Sequence, residues 1–214
     1  MAENLSMPLS ASPGLMSSAL DEETARAEIY GLLSALYYAP PTDAMLEGIR
    51  VAVTEAPAAG AVLEASWQDL VAGARTRSID EIKGEFDALF GGVGKPEVYV
   101  FASHYLSGFL NEKPLAALRG DLADLGLARD DSMPETEDHI AYVCEVMRYL
   151  IAGDDVAVAN LTRQREFFAR HVQPWATLMC ESITAHPKAR FYGGVARFTQ
   201  AFISVEAQGF DMLD

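Results

Sequence analysis

Apolar positions recur along the chain at three-to-four spacing, a pattern that predicts helices almost from end to end. Between Asp21 and Tyr38, Ile29, Leu32, Leu33 and Leu36 form one face, while Asp21, Glu22 and Glu23 suit the positive end of the helix dipole. Pro40 and Pro41 stop this helix. Thr42 or Asp43 caps a second, which runs to about Thr54 before Pro57 breaks it. Ala58 to Arg75 carries Val62, Leu63, Trp67, Leu70 and Val71, a third amphipathic pattern. Ser78 and Glu81 have the spacing of a capping box, and Ile79, Ile82, Phe86, Leu89 and Phe90 follow as an apolar stripe.

Gly91, Gly92 and Gly94 end that stripe, and the stretch to Leu110 reads as an aromatic loop followed by a short helix. Pro114 suits the first turn of the next helix, which presents Leu115, Leu118, Leu122 and Leu125 and ends at Gly126. Ile140, Val143, Met147, Leu150 and Ile151 mark another, ending near Gly153. Further helices are predicted over Asp154–Arg170, Pro174–Thr184 and Ala189–Glu206, the first two separated by a break at His171-Val172-Gln173-Pro174. No sustained period-two run and no Asn-Gly or Asp-Gly dipeptide announces a hairpin. The expectation is therefore all-α: a single-domain bundle of about nine helices over residues 21–210. A flexible Ser-, Pro- and Ala-rich tail is expected over 1–20, and a short C-terminal tail over 211–214. There is no interior linker and no internal repeat.

Composition changes this picture mainly through charge. The 214 residues are half hydrophobic, which excludes wholesale disorder. Asp and Glu number 31 against 16 Lys and Arg, a formal net charge of −15. Such a chain repels nucleic-acid phosphates and anionic lipid; its field suits a basic partner or serves solubility. Cys144 and Cys180 fit no metal spacing and read as buried thiols of a reducing compartment. No run of 18 apolar residues is present, so no membrane insertion is expected. Met1 to Ala19 contains neither Lys nor Arg nor a continuous apolar segment, so it is not read as a secretory signal. The expected location is cytoplasmic.

Four groups of residues invite a chemical reading. Gly91-Gly-Val-Gly94 is glycine-rich, but Lys95 is followed by Pro96 and no strand precedes it, so a helix stop competes with phosphate binding. Glu135, Asp138 and His139 stand at a helix start; they suit a divalent ion, an acidic first turn, or carboxylate recognition of guanidinium. Covalent catalysis lacks support, since no Gly-x-Ser-x-Gly elbow is present and neither cysteine has a catalytic context. Phe86, Phe90, Tyr99, Phe101, Tyr105 and Phe109 form core, or else an apolar groove rimmed by Asp80, Glu81, Glu85 and Asp87 that suits a basic amphipathic peptide.

Several motifs occur together in a fixed order. Phe86-x-x-Leu89-Phe90 is followed by Gly94, Tyr99, Ser103 and Tyr105, then Leu118-Arg119, then Glu135-Thr-Glu-Asp138-His139-Ile140. Phe167-Phe168-x-x-His171-Val-x-Pro174-Trp175 and Phe191-Tyr192 complete the series. From about Asp21 to Phe210 the chain resembles the TorD/DmsD family. The resemblance implies an all-helical cytoplasmic chaperone, not an enzyme. It would bind the catalytic subunit of a molybdenum-cofactor oxidoreductase, often at a twin-arginine signal peptide, until the cofactor is inserted. It implies no resident cofactor, although some members bind guanine nucleotide weakly, and either a monomer or a domain-swapped dimer.

The family's peptide-binding positions map onto Phe86, Leu89, Phe90, Tyr99, Ser103, Tyr105, Asp138 and His139, and Glu135 offers a further carboxylate. Thr136 stands where the family usually has Pro. Gly92–Glu97 and Phe109–Pro114 resemble a branch associated with formate dehydrogenase maturation. The alternatives are a nucleotide- or metal-dependent enzyme built on the glycines or on the Glu/Asp/His group, and a helical adaptor without leader recognition.

Overall fold

Ten helices appear among the described residues of the computed structural model, which describes 3–5, 22–54, 62–91, 95–130 and 133–212. They are α1 (Glu22–Tyr38), α2 (Asp43–Arg50), α3 (Glu64–Arg75), α4 (Ile79–Leu89) and α5 (Ala102–Ser107). The series continues with α6 (Lys113–Asp124), α7 (Ile140–Ala152), α8 (Leu161–His171), α9 (Gln173–Ala185) and α10 (Phe191–Asp211). The all-α expectation holds, and the short helix foreseen after the aromatic loop is α5. Two three-residue strands were not foreseen: β1 (Glu3–Leu5) and β2 (Leu127–Arg129) pair in parallel with Glu3 opposite Leu127. Three residues are too few to show alternation. Gly126, at φ +74°, lets the chain leave α6 for β2.

Helix α7 is apolar nearly all round, and ten of its thirteen residues are buried. A helix of that composition belongs inside a bundle. It packs on the apolar face of α1 and on α8, while α10 lies against α9, α3 and α4. Trp175, Phe191, Tyr192 and Phe202 fill the centre. A polar cluster ties three elements across the core edge: Arg26 donates to both Glu206 oxygens (2.7 and 2.9 Å) and to Gln164 (3.1 Å), and Tyr30 also donates to Glu206 (3.0 Å). Among the described residues, no helix is long and apolar enough to cross a membrane.

Helix α10 runs on to Asp211, past the expected Glu206 and into the expected C-terminal tail, and two other boundaries differ from the sequence reading for local reasons. Helix α2 ends at Arg50, short of Thr54, because Arg75 Nε takes the Arg50 carbonyl at 2.8 Å and Arg75 Nη2 takes the Ala52 carbonyl at 3.2 Å. Arg50 reciprocates onto the Ala74 and Arg77 carbonyls at 2.9 and 2.6 Å, so each helix end satisfies the other's orphan acceptors. Helix α8 starts at Leu161 because Asn160 accepts from Arg163 N at 3.1 Å as its cap. Of the tail expected over 1–20, the structure describes only β1. Gly92–Gly94 and 213–214 also lie outside the described residues, as does 55–61, within which α3 was expected to begin.

Candidate functional site: the α4–α5 loop and the start of α7

The residues before α5 and before α7 fold onto each other. Phe101 and His139 form an antiparallel bridge. Ile140 N donates to Val100 O and Ala102 N to Asp138 O, both at 2.9 Å. Upstream, Val98 N donates to Leu89 O at 2.9 Å, pinning the loop to the end of α4. Asp138 is 1% exposed, and its two oxygens accept from Ser103 N (2.9 Å) and from the Thr136 hydroxyl (2.7 Å). This carboxylate therefore anchors α5 instead of facing solvent. Thr136, where the family usually has Pro, supports the turn by a hydrogen bond in place of a ring. Ser103 is fully buried beneath.

His139 caps α7: its Nδ1 accepts from Ala141 N at 3.1 Å, which leaves the proton on Nε2. The ring meets Phe101 edge-on at 4.9 Å between centroids. Burial pushes its pKa down to about 4, partly opposed by Asp138, so the imidazole is neutral near pH 7. Both Asp138 oxygens and His139 Nδ1 thus already accept hydrogen bonds from the protein. Among the described residues, no group of three or more His, Cys, Asp or Glu side chains is placed to hold a metal.

The three acidic groups of this segment have different fates. Glu137 accepts Arg119 Nη2 and Nε at 2.8 and 3.0 Å, joining two motifs far apart in sequence. Arg129 holds the turn by donating to the Met133 carbonyl. Glu135 is half-buried, and its carboxylate makes no hydrogen bond or ion pair among the described residues; burial raises the pKa of the Tyr142 hydroxyl, and the Glu135 charge adds to that.

The aromatic series divides in two. Phe86 and Phe90 contact one another and Tyr192, with centroids 5.1–5.7 Å apart, over a fully buried Leu89. The second group lies along α5. Tyr99 stacks on His104 at 4.4 Å, and Tyr105 stacks on Trp175 at 5.9 Å while donating to Tyr99 O at 2.8 Å. Tyr99 and Tyr105 remain half-buried. Phe109 joins neither group and stands 72% exposed.

Glu85 is a correction to the acidic rim expected beside the aromatics. It is buried, and it accepts from Arg190 N, Phe191 N and Tyr192 N at 2.7–3.0 Å. Helix α10 has no side-chain cap of its own, so α4 supplies one from a distance. Glu85 and Arg119 were the structural residues least visible in the sequence, because their partners lie 106 and 18 positions away.

Among the described residues, ten helices carry an Asp-His turn that is bonded internally and clasps an aromatic loop. The family of the nitrate reductase delta subunit matches residues 56–181, more than half of the chain. The chain belongs to this family, the TorD/DmsD group of maturation chaperones, whose members are chaperones and not catalytic enzymes. It is similar to the chaperone protein TorD of Vibrio parahaemolyticus, 25% identical over 204 residues that cover 85% of this chain and 93% of the relative. The TorD of Shewanella loihica is 24% identical over 204 residues, covering 86% and 92%. That of Vibrio cholerae is 26% identical over 140 residues, covering 62% and 64%.

Proposed function

We propose that this protein is a cytoplasmic maturation chaperone for a molybdenum-cofactor oxidoreductase. It binds the apoenzyme through a basic, partly apolar leader and holds it until the cofactor is inserted, without a resident cofactor of its own. Family membership supports the chaperone role. The observation that carries the leader reading is the half-buried Glu135 carboxylate, without a hydrogen bond or ion pair among the described residues, on the same turn whose Asp138 anchors the aromatic helix α5. An arginine of the leader pairs with Glu135, and its apolar part lies against Tyr99 and Tyr105, while Phe86 and Phe90 form a separate aromatic patch with Tyr192. Leu89, Ser103, Asp138 and His139 serve this surface from beneath by fixing its shape. The stretches Gly92–Glu97 and Phe109–Pro114 favour a formate dehydrogenase as the client.

The test is calorimetric titration with a synthetic leader containing paired arginines. Binding on the micromolar scale, about −8 kcal/mol, suits a chaperone that must release its client. Glu135→Ala and Tyr99→Ala should each weaken it by about tenfold, the scale of one charge-assisted hydrogen bond or one ring contact. Unchanged affinity in both folded variants rejects the assigned surface. Failure of the tagged protein to retain any molybdoenzyme subunit from its host rejects the chaperone role for this client class.

A further inference from the structure

Helices α5 and α6 do not pack flush. Between them and the last turn of α8 lies a cavity of about 380 Å³, walled by Leu106, Pro114, Ala117 and Leu118. That volume lies at the lower end of the range of small-ligand and side-chain pockets. Leu106, in the wall, is itself exposed, as are Phe109 and Leu110 in the connection that follows α5. The connection that carries Phe109 and Leu110 turns through two left-handed residues, Gly108 at φ +79° and Asn111 at φ +59°.

No acidic side chain lines this cavity, in a chain that carries −15 overall. Of its three basic residues, His171 is held towards its neutral form by burial and Arg170 is paired with Asp121, so Lys113 supplies the net positive charge. Asp121, from outside the lining, holds Arg170 at 3.0 Å and His171 at 2.5 Å. Lys113 has no ion pair among the described residues. It is also the first residue of α6, where the helix dipole opposes a cation. Glu112 precedes it in the chain but does not line the cavity. Lys113 is exposed, and an anion here would pair with it and offset the helix dipole.

We propose that this cavity is a socket for a second segment of the client. In that segment a bulky aliphatic or aromatic side chain fills the apolar wall, and a neighbouring Asp or Glu meets Lys113. The proposal rests on the chaperone reading only for the source of the segment. The chemistry of the socket is opposite in sign to that of the leader surface, so a client engages the two through different parts of its chain. Lys113 and Arg119 are six residues apart on α6, about 9 Å along the axis. One client can therefore reach the socket and the Glu137 side of the leader turn together.

The test is an NMR titration of the isotope-labelled protein with three capped peptides differing at two adjacent positions: Phe-Asp, Ala-Asp and Phe-Lys. The Phe-Asp peptide should shift the amides of Leu106, Ser107, Lys113 and Ala117, and bind about tenfold more tightly than either of the others. Lys113→Glu should reverse the preference between Phe-Asp and Phe-Lys, and Leu106→Asp, an exposed change, should remove binding. Absence of shifts at the cavity amides up to millimolar peptide overturns the proposal. So does equal binding of the three peptides, or an unreversed preference in Lys113→Glu. The paired-arginine leader is titrated in the same variants and should keep its affinity. Its failure to bind the unaltered protein rejects the leader reading and leaves the socket standing.

Discussion

Asp138 accepts the backbone N–H of Ser103 at 2.9 Å, across thirty-five residues of chain. This bond makes the Asp-His turn part of the scaffold of α5. Asp138→Ala removes the acceptor of a buried N–H and of the Thr136 hydroxyl, and should cost about 2–3 kcal/mol. Asp138→Asn keeps one acceptor oxygen for Ser103 and should cost about half as much. Urea denaturation of the two variants checks the order; equal losses would show that the bond to Ser103 is not the one that matters.

Leu89 gives the second prediction. It is fully buried, with its carbonyl bound to Val98 N. Leu89→Ala should destabilise the fold by about 2–5 kcal/mol through transfer and cavity terms. Any effect it has on leader affinity should vanish when affinity is corrected for the folded fraction. Tyr99→Ala, at a half-buried ring, should change affinity with little change in the denaturation midpoint.

Glu85 gives the third. Its carboxylate is the cap of α10, bonded to three successive backbone N–H groups. Glu85→Ala should lower stability by about 3 kcal/mol, because the freed donors of Phe191 and Tyr192 stay buried. Glu85→Gln, which retains one acceptor, should recover part of that loss. Hydrogen exchange at the amides of Phe191 and Tyr192 should rise in the alanine variant before exchange elsewhere in α10 does.

The fourth concerns pH. The folded pKa of His139 is pushed down to about 4, below the unfolded value near 6.5. The unfolded chain therefore binds this proton more readily, and stability is fully present above about pH 6.5 and lost progressively towards pH 4. The loss attributable to this ring is about 3 kcal/mol. His171, also held low by burial, acts in the same direction. His139→Asn keeps a side-chain cap on α7 and removes the titrating ring. It should be less stable at pH 7.5 and yet show a shallower fall in denaturation midpoint between pH 6.5 and 4.5. An unchanged slope would assign the dependence to other groups.

The legible part of this protein was its local physics. The spacing of Ile29, Leu32, Leu33 and Leu36 fixes which face of α1 is buried, and the Ser78 and Glu81 capping box forms as their spacing requires. These are properties of a few adjacent residues, so a one-dimensional pattern carries them. The order of the motifs likewise carried the family. The same pattern missed the early end of α2, because its orphan carbonyls are satisfied by Arg75, a residue on another helix. It could not separate Phe86 and Phe90 from Tyr99 and Tyr105, which are equally aromatic but packed against different partners.

What only the tertiary structure decided is which polar groups remain available. Glu85, Glu135, Glu137 and Asp138 are four carboxylates of similar intrinsic chemistry. One caps a distant helix, one holds an arginine and one anchors α5, which leaves Glu135 without a hydrogen bond or ion pair to its carboxylate among the described residues. Burial and hydrogen bonding are non-local, set by elements that meet only after folding. A sequence therefore names the candidates for recognition, and the packing of α4, α5, α7 and α10 chooses among them.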